Sequence, residues 1–321
     1  MGWKGTMRSI AAASRAANRE AERRHKANLK QQRIDDAAEA VEEWEEYIAN
    51  LISVHVDLAD AINWTEIASK KKPQKPEQKF THEQKIQSSI DNFKPSFFDF
   101  LSGGTSRKKA KLLEAVKNAA LKDKKLFETE TSKYEANLLE WKQDTKMAKR
   151  LLKGDISATK EVITEMQTLM DQELIGSNIS FRITDEFIHA MPEVHGDEIV
   201  PDYRRKQLAS GNLSQTKMPK GDFNELYQDY VASVALKVAG DMFHILPNKE
   251  IYVTCVTSML NTKTGHQEIT PIISVQFVKE TFKRLNLKNI DPSDSLANFN
   301  HAMNFKRTKG FQPVKALKET S

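Results

Sequence analysis

The polar loop at residues 261–268, between two apolar runs, brings together the side chains best suited to chemistry. It holds an amide, two hydroxyls, an imidazole and a carboxylate: Asn261, Thr262, Thr264, His266 and Glu268. A glycine inside such a loop permits close approach of the backbone to a ligand. The same composition is typical of an ordinary hairpin turn. The loop therefore indicates either a turn or the centre of a divergent hydrolase, with Asn261, His266 and Glu268 as candidate catalytic residues.

A metal-dependent nuclease would need carboxylates on neighbouring strands to hold a cation, with a lysine to stabilise charge. The apolar run after the loop supplies Gln276 and Lys279, but no acid at the required spacing. Asp222, Glu225 and Asp229 lie at i, i+3 and i+7 of a predicted helix and so share one face, which makes Asp229 a further candidate. A solvated helix face explains these three acids equally well.

Sequence patterns for nucleotide binding and for a nucleophilic serine are missing from the chain. It holds no GxxxxGK[ST], no GxGxxG and no GxSxG sequence. His189 and His195 flank a short segment, but no cysteine or third histidine completes a zinc set. We therefore expect no cofactor and no bound metal, and a non-enzymatic protein is the first hypothesis.

The basic N-terminal arm, residues 1–33, is the best-motivated functional element. It carries nine Lys and Arg residues against two acids, Glu20 and Glu22. A solvated row of cations can neutralise phosphates and release counterions, so DNA or RNA is a possible partner. The alternative is a solvated helix that pairs with acids of another protein or another copy. The candidate nucleic-acid-binding residues are Lys4, Arg8, Arg15, Arg19, Arg23, Arg24, Lys26 and Lys30.

Residues 34–62 reverse this charge, with nine acids and no Lys or Arg. Their apolar positions follow a seven-residue repeat that is typical of a coiled-coil seam and predicts a helix through this region. We expect self-association through Ile34, Val41, Trp44, Ile48, Leu51 and Leu58. A second heptad helix is predicted from about residue 106 to residue 152. The two long helices form either an antiparallel hairpin or intermolecular pairs, as in a dimer, and both alternatives stay open.

The elements predict three regions: a helical or disordered basic arm (1–33), a coiled-coil region (34–175) with a linker at 70–79, and an α+β domain (176–321). The linker is predicted because its prolines cannot continue a helix. An aromatic segment at 93–101 precedes the second heptad helix. In the last region, strands are predicted near 179–184, 187–191, 251–257 and 272–278, and a helix at 221–246. The fold class is therefore α+β, with a partly antiparallel sheet.

Three segments of the last region carry a resemblance, together with the opening MGWKGT. They are KMPKGDFNELYQDYV at 217–231, NTKTGH at 261–266 and DPSD at 291–294. On these segments the chain resembles a family of uncharacterised bacterial coiled-coil-containing proteins. The resemblance covers about the C-terminal third of the chain and the first residues, and it implies no activity, cofactor or site.

Composition limits the protein class. The charged share is 29% and the hydrophobic share 39%, as expected for long solvated helices. The single cysteine, Cys255, lies in an apolar run and calls for no oxidising compartment. No run approaches the ~20 apolar residues that span a bilayer. We expect a cytoplasmic protein; a membrane-surface protein, which the formal myristoylation pattern at Gly2 would allow, is the less favoured alternative.

Overall fold

The computed structural model describes residues 3–92, 104–169, 176 and 178–318, with side chains described for 23–92, 110–166, 176 and 178–318. The predicted aromatic segment 93–101 lies outside these residues, and so do the side chains of Lys4, Arg8, Arg15 and Arg19. The chain forms two compact units. The first comprises Met1–Ile62 and Thr159–Ser321, and the second comprises Asn63–Ala158.

The first unit begins with a continuous 50-residue helix, α1 (Trp3–Ile52). Its sequence has no proline, has no glycine after Gly5, and is rich in Ala, Glu, Arg and Lys, which favour helix. The C-terminal half of α1 is anchored in this unit: Gln207 Nε2 donates to Ile34 O at 2.7 Å, Arg205 donates to Ala40 O, and Ala37 is buried.

The heptad prediction of a helix through Leu58 and Ile62 is wrong, because α1 ends at Ile52 and Val54–Val56 form a 3-10 turn. The cause is tertiary hydrogen bonding at His55. Its backbone N–H donates to Ser233 Oγ at 3.1 Å, and its ring Nε2 lies 2.9 Å from Leu287 O. Since a carbonyl can only accept, Nε2 carries the proton, and Nδ1 accepts from the Ser233 hydroxyl at 2.8 Å.

Ser233 belongs to helix α6 (Lys220–Ile245) of the first unit, and residues 57–62 continue along this helix. The backbone N–H of Ala59 donates to Asp241 Oδ1 at 2.8 Å, and Ala59 O accepts from His244 Nδ1 at 2.6 Å. Ile62 N–H donates to His244 O at 2.8 Å. These bonds satisfy a backbone that makes no helical bonds of its own. We call residues 53–62, held in this way on α6, the docked segment.

A six-stranded mixed sheet forms the centre of the first unit. Its strands, in spatial order, are β1 (Asn178–Ile183), β2 (Ile188–Glu193), β5 (Glu250–Asn261), β6 (His266–Val278), β7 (Asn300–Lys306) and β8 (Gly310–Gln312). Strands β2 and β5 pair in parallel, and the other neighbours are antiparallel. This arrangement after the long helices confirms the predicted α+β class.

Three features of this unit were not predicted. A separate hairpin of β3 (Tyr203–Gln207) and β4 (Leu213–Lys217) packs against α1. Strands β7 and β8 extend the sheet beyond β6. The C-terminal residues after β8 return to the sheet, where Val314 N–H donates to Pro271 O at 2.9 Å. The remaining short helices are α7 (Lys279–Phe282) and α8 (Pro292–Ser295), the latter capped by Asp291.

The two faces of the sheet differ in chemistry. Helix α6 packs on one face, where Cys255 is fully buried and its Sγ lies 3.7 Å from Val231 O. On the opposite face, polar side chains of neighbouring strands form a buried hydrogen-bonded chain. His189 Nε2 lies 2.8 Å from Thr254 Oγ1, which lies 2.7 Å from Ser274 Oγ. The backbone N–H of Leu317 also donates to Ser274 Oγ. The sheet therefore has one apolar face and one with satisfied polar groups.

The second unit is helical, with α2 (Trp64–Ser69), α3 (Thr81–Asp91) and the 49-residue α4 (Gly104–Leu152). The sequence predicted α4 from its heptad stripe. Residues 70–80 form neither helix nor strand, and Lys70 O accepts from Trp141 Nε1 at 2.7 Å. Asp123 of α4 is buried and caps α3, because it accepts from the backbone N–H groups of His82 and Glu83. Helix α5 (Ile156–Leu169) follows α4, and its residues from Thr159 onward belong to the first unit.

Candidate functional site

The predicted catalytic loop is the tip of the β5–β6 hairpin. Asn261 Nδ2 donates to both Glu268 oxygens at 2.9 Å, and Thr264 Oγ1 donates to Glu268 Oε1 at 3.1 Å. Gly265 adopts φ 73°, the left-handed conformation that the turn needs. His266 is exposed and is the register partner of Asn261. The structure thus brings Asn261 and Glu268 together, with bonds that account for them as parts of a turn. A hydrolase centred on this loop stays a prediction.

Within the part of the chain that the structure describes, no three His, Cys, Asp or Glu side chains are grouped so as to hold a metal ion. Among the same residues, no helix combines the length and the apolar character needed to cross a membrane.

Asp229, the fourth candidate, lies apart from this loop, in a groove that residues of α1, α6 and the β3–β4 hairpin line.

This groove has a volume of 540 Å³ and combines apolar and acidic side chains. Trp44 and Ile48 of α1, one helical turn apart, line one side of the groove. Met218, the residue after β4, and Leu226 of α6 add apolar surface. The remaining lining residues are charged: Arg204, Asp222, Glu225 and Asp229. The acids at i, i+3 and i+7 of α6 share one face, as their spacing predicted. We call this space the acidic groove.

Two arginines hold the N-terminal end of the acid row. Asp222 contacts both Arg204 and Arg307, and Glu225 Oε1 lies 2.9 Å from Arg307 Nε. The hydrogen bond from Arg307 and the charge of Arg204 lower the pKa of Asp222 below its ordinary value, although burial opposes them. This carboxylate therefore stays ionised at neutral pH.

Asp229, at the other end of the row, has a different environment. Burial and, after it, the negative charges of Asp291, Asp294 and Glu225 together raise its pKa to about 6, although the Ser293 hydroxyl opposes the rise. No Lys or Arg pairs with Asp229 within the described residues. The groove thus carries uncompensated negative potential around Asp229, and a cation placed there would be stabilised.

Trp44 lines both the acidic groove and a second groove of 380 Å³, to which Tyr47, Tyr203 and Arg205 also contribute. The Trp44 indole Nε1 is buried and has no hydrogen-bond partner among the described residues. Tyr47 OH donates to Ile199 O at 2.6 Å. Sequence reasoning missed both grooves because they require the unpredicted β3–β4 hairpin.

The described part of the basic arm is an exposed stretch of α1. Residues 23–33 are all exposed and contain no acid. Arg23, Arg24, Lys26 and Lys30, which the sequence predicted as phosphate-binding residues, all lie here, together with Arg33. Because α1 is continuous, these cations stand on the same helix as the anchored residues 34–52.

Several residues predicted to mediate self-association pack within the chain. Leu51 is fully buried, and the Leu58 methyl groups lie against Gly240 of α6. Ile34 lies against Gly211, which has φ 83°, at the tip of the β3–β4 hairpin. Trp44 and Ile48 line the acidic groove, and Val41 is half-buried. These contacts need no second copy, so self-association through this set stays a prediction.

Comparisons with protein-family models, with curated proteins and with solved structures found no match for this chain.

Proposed function

We propose that this chain is a non-enzymatic, cytoplasmic assembly protein that binds nucleic-acid backbones through the basic part of α1. The observation that carries the proposal is the exposed, acid-free stretch 23–33, which holds five Lys and Arg side chains on a helix anchored to a folded unit. The single, buried cysteine suits a reducing compartment.

The physical basis is counterion release. Each phosphate that a Lys or Arg neutralises frees condensed cations, so affinity depends steeply on salt but little on base sequence. The described part of the arm has no Phe, Tyr or Trp side chain on which bases could stack. The backbone, not the bases, is therefore the expected ligand.

The test compares full-length protein with a variant in which Arg23, Arg24, Lys26 and Lys30 are all changed to Gln. Binding of a fluorescent DNA duplex and of RNA is measured across a salt series. We expect the variant to bind at least about tenfold more weakly at low salt, with a log–log salt slope shallower by about 3.

A matched control removes the same charge from another exposed helix. Lys111, Lys117, Lys122 and Lys125 of α4 are exposed, and their change to Gln leaves the arm intact. We expect this control to bind much as the unchanged protein does. Equal losses in both variants, or no binding by the unchanged protein at low salt, would contradict the proposal.

A further inference from the structure

One face of the exposed arm carries cationic side chains around a leucine. Lys26, Leu29, Lys30 and Arg33 lie at i, i+3, i+4 and i+7, so they form a single row on α1. Leu29 is 43% exposed, so its side chain is available for contact. The row therefore presents three cations around one apolar side chain.

The acidic groove carries side chains of the opposite charge at the same helical spacing. Its α6 row also occupies i, i+3, i+4 and i+7 and carries three acids around one leucine. Placed antiparallel, the two rows match at all four positions. The four pairs are Lys26 with Asp229, Leu29 with Leu226, Lys30 with Glu225, and Arg33 with Asp222. In the parallel orientation both leucines would face charged residues, so complementarity selects the antiparallel one.

An arm cannot reach the groove of its own chain. Trp44, which lines the groove, belongs to the same continuous helix as Lys30. At 1.5 Å per residue, the 14 intervening steps hold Lys30 about 21 Å from Trp44 along the axis. Any arm that enters the acidic groove must therefore come from another molecule.

We propose that the acidic groove binds the α1 segment 26–33 of a second copy of this chain, in antiparallel orientation. Leu29 of the incoming helix meets Leu226, with Trp44 and Ile48 beside it. Lys26 meets Asp229, the acid of the row that lacks a cationic partner within the described residues, while Lys30 and Arg33 join the existing arginine pairs. The interaction shares the arm with the proposed function but does not depend on it, since charge and shape of this chain alone carry it.

The test measures self-association by sedimentation equilibrium of nuclease-treated full-length protein. We expect association at about 50 mM salt that weakens at least about tenfold by about 500 mM, because screening reduces exposed charge interactions. Two charge-reversal variants are compared: Lys26→Glu with Lys30→Glu in the arm, and Glu225→Lys with Asp229→Lys in the groove. Each alone is expected to remain monomeric.

Combining all four reversals in one chain restores complementarity and is expected to restore association. This rescue separates a direct contact from a folding defect, because damage to the fold would not be repaired by further charge changes. Leu29→Ala should weaken association, whereas Leu113→Ala, which removes another exposed leucine, should not. A monomer under all conditions, or no rescue in the combined variant, would overturn the proposal.

The groove variant also separates this inference from nucleic-acid binding. Glu225→Lys with Asp229→Lys leaves the arm unchanged, so DNA binding should persist while self-association is lost. Loss of self-association without loss of DNA binding supports two separate uses of the arm. DNA binding by a protein that never self-associates would leave the proposed function standing and this inference refuted.

Discussion

At the scale of single residues, the surroundings of each acid on α6 determine its pKa more than its position in the sequence does. Asp222 and Asp229 are two turns apart on one helix face, yet arginines stabilise the charge of the first, and burial near other acids opposes the charge of the second. Their spacing was readable from the sequence. Their pKa values were not, because Arg204, Arg307 and Asp291 come from remote parts of the chain.

Asp229→Asn should stabilise the first unit at neutral pH. A carboxyl whose pKa is raised to about 6 destabilises the fold when it is ionised, and this cost fades as the pH falls from about 6 towards the ordinary value of 3.8. We expect a gain on the order of 1–3 kcal/mol at pH 7.5 that disappears near pH 4. Urea unfolding across this pH range measures it.

Asp222→Asn is the matched control, because the same change at this position weakens the contacts to two arginines. Its expected effect at pH 7.5 has the opposite sign, a loss of stability. Equal effects of the two substitutions would show that the environments do not differ as described.

At the scale of elements, the spacing of apolar residues predicted the helices and strands that local sequence determines. The helices α4 and α6 and the strands β5 and β6 were predicted because their apolar positions follow helical or strand spacing. The hairpin β3–β4 was missed because its sequences, YRRKQ and LSQTK, are polar, and its packing against α1 stabilises it. The end of α1 at Ile52 was missed for a similar reason, since no Pro or Gly marks it and the partner Ser233 lies far along the chain.

Ser233→Ala tests the docked segment directly. The substitution leaves the backbone N–H and the ring Nδ1 of His55 without their partner in a buried site. An unsatisfied buried group costs about 1–3 kcal/mol, which exceeds any gain in helix propensity from alanine. Chemical denaturation should show this loss. Ser258→Ala, at an exposed position on β5, should change the free energy of unfolding by less than about 0.5 kcal/mol.

At the scale of the whole molecule, buried histidines couple the fold of the first unit to pH. Burial lowers the pKa of both His55 and His189 below the ordinary value of 6.5. A lowered pKa gives stability that is present above pH 6.5 and is lost as the pH falls, because the unfolded chain then binds protons more readily.

We therefore expect the first unit to lose stability between pH 7 and pH 5. The measurement is best made in the Asp229→Asn variant, which removes a carboxyl whose protonation acts in the opposite direction. Circular dichroism melts at several pH values would follow the change. A midpoint that stays constant or rises on acidification would contradict the assignment of His55 and His189 as neutral in the fold.

The reactivity of Cys255 reports when the core of the first unit opens. This cysteine is the single thiol of the chain, and it lies fully buried between the sheet and α6, where burial raises its pKa and suppresses the reactive thiolate. A thiol reagent can modify it only when that core separates. Since residues 63–158 contain no cysteine, the labelling rate of the unmodified protein records the opening of the first unit without any signal from the second.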